Sequence, residues 1–188
     1  TVGVRESEID YFLEDIQKVS GLLSESEREW GVWGFAHLTF QEYLAAAHLV
    51  EQSLSDDWWS SRVAQSWWQE TLRLYAAQSD ATPIVRACLQ DGSVLALALA
   101  ADCLEEALKL DVTVREETEQ RLITGLEAED SEQRKLAAEV KLKQRLKRLQ
   151  RLVEHREIDL HFISCAEYQL FLDEKRAEGK FYQPDHWL

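Results

Sequence analysis

The chain has 188 residues, 45% of them apolar and 30% charged, with a formal net charge of −14 and a pI of about 4.8. Seven tryptophans and this apolar share exclude wholesale disorder, and a chain of this length buries a core without staples. Seven glycines and two prolines argue against a loop-rich sandwich or barrel, and no apolar run approaches the ~20 residues of a membrane span. Cys88, Cys103 and Cys165 form no Cys-x-x-Cys pair, which fits reduced thiols and a cytoplasmic protein. No signal-like segment opens the chain. There is no methionine, even at position 1. The expectation is therefore an internal piece of a longer polypeptide, cut at both ends.

Ile9, Phe12, Leu13, Ile16 and Val19 recur at helical spacing, with Ser7 and Asp10 as a cap-like start and Gly21 as a stop. Residues 22–25 and 32–35 read as strands of a β-hairpin around a polar turn at 26–29. A second helix is expected over 39–52, with Thr39 and Glu42 as a capping box and Phe40, Tyr43, Leu44, Ala47 and Val50 as its buried stripe. A third begins within 56–66 and ends near Gln78, on Val63, Trp67, Trp68, Thr71, Leu72 and Tyr75. Pro83 suits the start of the next helix, which carries Ile84, Ala87 and Cys88 on one face. Residues 94–110 are apolar nearly all round until Asp102, the pattern of a helix central to a bundle. Thr113 with Glu116 caps a sixth helix bearing Leu122, Ile123 and Leu126, and Ser131 opens a long seventh one to about residue 154. No sequence period emerges over 66–154, so these are irregular helical hairpins rather than a solenoid. Partial alternation over 158–163 reads as a strand, Ser164 and Glu167 as a capping box, and Tyr168, Phe171 and Leu172 as a helix ending before Gly179. An aromatic, proline-containing loop follows from Phe181.

Charge is uneven. Residues 134–151 hold eight bases against one acid, so this stretch carries +7 and the remainder −21. The plain reading is a solvated face, or one lying against an acidic neighbour in the same protein. A phosphate- or nucleic-acid-binding helix is the sharper reading, but no aromatic is interleaved for stacking on bases. Overall acidity also weighs against nucleic acid as a partner. Trp58, Trp59, Trp67 and Trp68 raise an aromatic-box hypothesis, with core packing favoured by their spacing. His155, His161 and His186 show no zinc spacing. Glu105, Glu106, Glu116 and Glu117 read as solvated, and Ser24, Ser53 and Ser93 lack a nucleophile-elbow context. No catalytic residue and no metal ligand is assigned.

The most informative stretch is Gly34-Phe35-Ala36-His37-Leu38-Thr39-Phe40-Gln41-Glu42-Tyr43-Leu44-Ala45-Ala46. With Phe12-Leu13-Glu14-Asp15-Ile16 before it, it resembles the winged-helix signature of NACHT-type STAND NTPases. The resemblance covers about residues 6–52. It implies an upstream nucleotide-binding domain, with His37 contacting the phosphates of ADP in a closed state. An imidazole donor on a mobile module can report the phosphate end of a nucleotide. The bland alternative is that His37 only caps the hairpin-to-helix junction. The P-loop pattern Gly-x-x-x-x-Gly-Lys-Ser/Thr is absent. The chain is thus expected to bind no nucleotide alone and to be no enzyme, ADP/ATP with Mg being implied only for the parent protein. The Trp-rich segment resembles the helical region after the winged helix in bacterial NACHT proteins.

Ile163-Ser164-Cys165-Ala166-Glu167-Tyr168-Gln169-Leu170-Phe171-Leu172, followed by Gln183-Pro184-Asp185-His186-Trp187, resembles the start of a formylglycine-generating-enzyme-like (sulfatase-modifying-factor) domain, whose fold is C-type-lectin-like. It departs at Cys165, where an asparagine-like residue is expected, and Cys165 is not assigned as a catalytic thiol. The fold expected is mainly α. A winged-helix remnant with one β-hairpin (1–55) leads to an irregular helical-hairpin bundle (56–155), then to the strand–helix start of an α+β lectin-like domain (156–188). The function expected is a regulatory, signal-relay segment of a bacterial NACHT-type NTPase, in defence or signalling. It would couple a nucleotide switch to a C-terminal ligand-sensing domain. Its partners would be the upstream nucleotide-binding domain and the downstream sensor, with a protein ligand or self-assembly of the parent, and no membrane. The alternative is a helical protein–protein adaptor without nucleotide coupling. A formylglycine-type enzyme fragment is a third, poorer reading.

Overall fold

A computed structural model describes residues 6–25, 31–153 and 156–184. The turn expected at 26–29, His155 and the 185–188 end lie outside the described residues, as do the side chains of Ser7 and Asp10. The chain forms two compact units, Thr1–Gln52 and Ser53–Leu188.

In the first unit, α1 (Glu6–Val19) ends where Ser20 and Gly21 both donate their N–H to the Ile16 carbonyl. Gly21 takes φ +64°, a conformation that glycine adopts without a Cβ penalty. Strands β1 (Leu23–Glu25) and β2 (Trp33–Phe35) pair antiparallel, Leu23 opposite Phe35 and Glu25 opposite Trp33. The expected hairpin therefore forms. Helix α2 (Leu38–Val50) starts one residue early, with His37 as its N-cap. Thr39 thus sits inside the first turn, and the expected Thr39–Glu42 capping box does not form.

The buried face of α2 also differs from expectation. Ala46 and Leu49 are buried, while Phe40, Tyr43 and Leu44 are 39%, 50% and 46% exposed. Because α2 is apolar nearly all round, periodicity could not select the inner stripe. The small Ala-Leu stripe faces inward and the aromatic one outward.

The second unit begins with α3 (Asp56–Ser60), capped by the Ser55 hydroxyl, which accepts from the Trp58 N–H. A 3-10 turn at Ser66–Trp68 and α4 (Gln69–Ala76) follow, so the single helix expected here is broken. Chain reversal at 61–65 returns Trp68 to Trp58, and the Gln69 side-chain amide donates to the Val63 carbonyl at 2.6 Å. Helix α5 (Thr82–Asp91) has Pro83 in its first turn and stops at Gly92, φ +71°. Helix α6 (Val94–Glu106) is capped by Ser93 and buries Ala96, Leu97, Ala98, Leu99, Ala100, Ala101 and Cys103. This is the central helix expected, but it stops at Glu106. The chain beyond runs extended, bridging Asp80 to Lys109 in parallel.

Helix α7 (Val112–Glu127) is capped by Asp111, whose carboxylate accepts from the Thr113 and Val114 N–H groups. Asp111 thus does the work expected of Thr113 with Glu116. Val114 and Thr118 are buried on α7, and Ile123 is exposed. Helix α8 (Ser131–Lys147) crosses α7 closely, since a Cβ on Gly125 would lie 2.8 Å from the Ala137 Cβ. It does not continue to residue 154. Residues Gln150–Val153 form β3, antiparallel to β4 (Arg156–Ile158) with an irregularity between Arg151 and Val153. Of the strand expected at 158–163, only Ile158 is in β4. Helix α9 (Cys165–Ala177) has the full Ser164–Glu167 capping box and packs on α8. Among the described residues no helix is long and apolar enough to cross a membrane.

Burial pushes the Asp80 carboxyl up, but hydrogen bonds from Lys109 and Thr82 outweigh it and hold the group at about 2. A carboxyl depressed below its ordinary value near ~4 stabilises the fold fully above that pH. The contribution is lost as pH falls toward the folded value. Asp80→Asn should therefore flatten the acid limb of a melting-temperature profile between about pH 4 and pH 2. An unchanged limb there would show that the Asp80 bridge does not contribute.

Candidate functional site

His37 sits where β2 hands over to α2. Its backbone is extended, φ −133° and ψ 137°, and its carbonyl accepts from the Phe40 N–H at 3.1 Å. The imidazole is exposed and makes no capping hydrogen bond. It lies 5.8 Å from the Phe40 ring, tilted by 56°. His37 is thus an N-cap by backbone position only, with its ring nitrogens unengaged among the described residues. Beside it are the unpaired N–H groups that open every helix, a place that favours negative charge. Chemically, the position can offer an imidazole N–H to an anion brought from outside this unit. No other titratable side chain among the described residues joins it. Among the described residues no group of three or more His, Cys, Asp or Glu side chains is placed to hold a metal.

The tryptophans form a core cluster rather than an open box. Trp59 is buried, edge-on to Trp58 with ring centroids 4.9 Å apart and 5.0 Å from Tyr75. Trp58 meets Trp68 at 5.4 Å. The Arg62 guanidinium fills the cluster's outer side, 4.2 Å from the Trp58 ring centroid and 5.2 Å from that of Trp68. A cation already lies on these faces, where an aromatic box would hold a ligand's cation. Trp67 stands apart, 63% exposed.

Three bases of the stretch form ion pairs around the last turn of α8. Lys147 binds Asp102 at 2.5 Å and Arg148 binds Glu105, both acids lying on α6. Arg145 is turned the other way and is only 12% exposed. Its Nε donates to Glu167 Oε1 at 2.8 Å, and one Nη2 hydrogen goes to Glu167 Oε2 at 3.2 Å. The other Nη2 hydrogen goes to the Phe162 carbonyl at 3.1 Å. Nη1 donates to Asp159 and, at 2.9 Å, to the His161 carbonyl. All five guanidinium donors are used.

Burial pushes the Glu167 carboxyl up, but Arg145 and Ser164 outweigh it and hold it below the usual range. Asp159 is held down first by the His161 backbone N–H and then by Arg145. The acidic neighbour that sequence reasoning allowed is therefore in the same chain. Arg145, Asp159 and Glu167 were not singled out together, and nothing local marks Arg145 among seven other bases. A cleft of about 290 Å³ adjoins this node, between Lys141, Gln144, Arg148, His161 and Phe162.

Cys88 and Cys103 are buried, which pushes both thiols up, Cys103 to about 12. Neither is a ready nucleophile. Cys165 is exposed at the start of α9.

Residues 4–49 match the family model of the winged helix-turn-helix domain C-terminal to NACHT. That span takes in the helix, the hairpin, His37 and nearly all of α2. In this part the chain is similar to NACHT-associated winged helices. No curated protein and no solved structure matches the chain. The matched span does not extend to residues 156–188, where the lectin-like resemblance lies.

The aromatic cluster is testable by its contrast. Trp59→Ala should cost about 3–5 kcal/mol in urea unfolding, as for other fully buried large aromatics. Trp67→Ala should stay within about 0.5 kcal/mol. Equal effects would overturn the distinction between core and surface tryptophans.

Proposed function

We propose that this chain is a regulatory segment of a NACHT NTPase, linking nucleotide state to a C-terminal sensing region. The observation that carries this reading is the winged-helix match over 4–49, with His37 at the hairpin-to-helix junction inside it. The nucleotide would belong to the NACHT domain, since this sequence holds no P-loop. His37 fits the role of a phosphate contact because its imidazole is exposed, unengaged by the helix end and beside free backbone donors. When bound, ADP with Mg would supply the charge that distinguishes the closed state. The exposed α2 stripe of Phe40, Tyr43 and Leu44 gives the winged helix an apolar face to set against the same NACHT domain.

The switch would be a population shift between two packed states. Moving such an equilibrium from mostly closed to mostly open takes about 5.5 kcal/mol of differential binding. Part would come from the phosphate contact and part from whatever the C-terminal region binds. Residues 156–188 would begin that region, as the opening of a formylglycine-generating-enzyme-like, lectin-type domain. The Ser164–Glu167 capping box at the start of α9 is in keeping with that reading. The adaptor reading draws on a different observation, the exposed Leu152, Val153, Leu160, Phe162 and Ile163. In it, β3 and the loop after β4 would carry a partner without reference to nucleotide.

In a polypeptide joining the NACHT domain to this segment, His37→Ala should speed ADP release and raise basal self-assembly. Unchanged or slower release would remove the switch role from His37 and favour the adaptor.

A further inference from the structure

The segment after β4 meets the bundle along α8, and few of its side chains are buried there. Among its described residues, 159–184, only Glu167 and Leu172 are buried. Its aromatic side chains pack on one another instead. Tyr168 lies 5.6 Å from Phe171, and Phe171 lies 5.7 Å from Tyr182. The Tyr168 hydroxyl donates to the Tyr182 carbonyl at 3.4 Å, so the helix and the loop after it hold together locally. Ser164 and Glu167 complete the helix start from within the segment.

A single guanidinium on α8 makes five hydrogen bonds to this segment. Arg145 reaches the loop through Asp159 and the carbonyls of His161 and Phe162, and the helix through Glu167. An interface of this kind has a particular property. Removing one partner leaves a buried charge uncompensated, which is strongly destabilising. Separating the two faces intact returns both charges to water and uncovers few fully buried side chains of the segment. The contact is therefore stringent when closed and soluble when open. By contrast, Arg148–Glu105 is an exposed pair that water screens, and Lys147–Asp102 joins a half-exposed cation to a largely buried acid.

We propose that residues 159–184 are a detachable cassette, docked on α8 by Arg145 and able to leave the bundle as a unit. Arg145 is its latch, and the last turn of α8 is the joint at which movement of the cassette reaches α6 through Lys147 and Arg148. The use of this joint in signalling rests on the relay reading above, but the docking does not.

Hydrogen exchange on the 188-residue chain tests it. In the wild type, the α9 amides should exchange through one shared opening shallower than that of α6. In Arg145→Met, which keeps an unbranched apolar stem, α9 should lose protection tenfold or more while α5 and α6 keep theirs. Glu167→Gln, which keeps shape and an acceptor but drops the charge, should show a smaller loss confined to the same amides. Retained α9 protection in Arg145→Met would overturn the proposal. So would loss of protection in α5 and α6 alongside α9, since the segment would then be an inseparable part of the core. If Arg145→Met frees α9 yet leaves ADP release from the NACHT-bearing protein unchanged, the cassette stands and the relay reading falls.

Discussion

Helix α6 is the constraint on which the second unit is built. It packs against α4, α5, α7 and α8, and is buried on nearly every side between Ala96 and Ala101. Alanine at 96, 98, 100 and 101 keeps the helix slim enough for that many neighbours to approach. Leu97 and Leu99 then supply the bulk, each worth about 1.5–3 kcal/mol on burial. The apolar composition ends at Asp102, and the acids that follow face the basic last turn of α8. One helix thus sets both the core and the charge pattern of the helix packed on it.

The same division of labour separates α8's two ends. Its Ala137, Ala138 and Val140 are buried in the bundle. Its final turn, with Arg145, Lys147 and Arg148, belongs to ionic contacts with residues far away in sequence. Of this run of bases, Arg145, Lys147 and Arg148 meet acids, from two directions. The net charge of the chain, strongly negative elsewhere, supplies the partners.

Local chemistry was legible where the decisive residues lie within one turn of each other. Gly21 as a helix stop and the Ser164–Glu167 box belong to this class, and the β1–β2 hairpin needs only a slightly longer reach. The Thr39–Glu42 and Thr113–Glu116 boxes fail locally, because His37 and Asp111 take the cap positions, and the other misses have a different cause. Helix α8 stops at Lys147 and the chain turns into β3, and no local signal in a helix-favouring basic run reveals that stop. The break between α3 and α4 depends on Trp68 returning to Trp58, a contact ten residues apart. The inner face of α2 was unreadable because apolar residues surround the helix. His37 drew notice through the motif around it, whereas its unengaged ring is a fact of three-dimensional placement.

The meeting of α7 and α8 at Gly125 and Ala137 has a consequence for how the protein can change over time. With so little room, the two positions share one small volume. A methyl gained on one helix must be surrendered by the other, or the helices must part and loosen the wall against α6. Substitutions there should accordingly arise in compensating pairs. An independent larger residue at either position would mark a relative in which this crossing has been rebuilt.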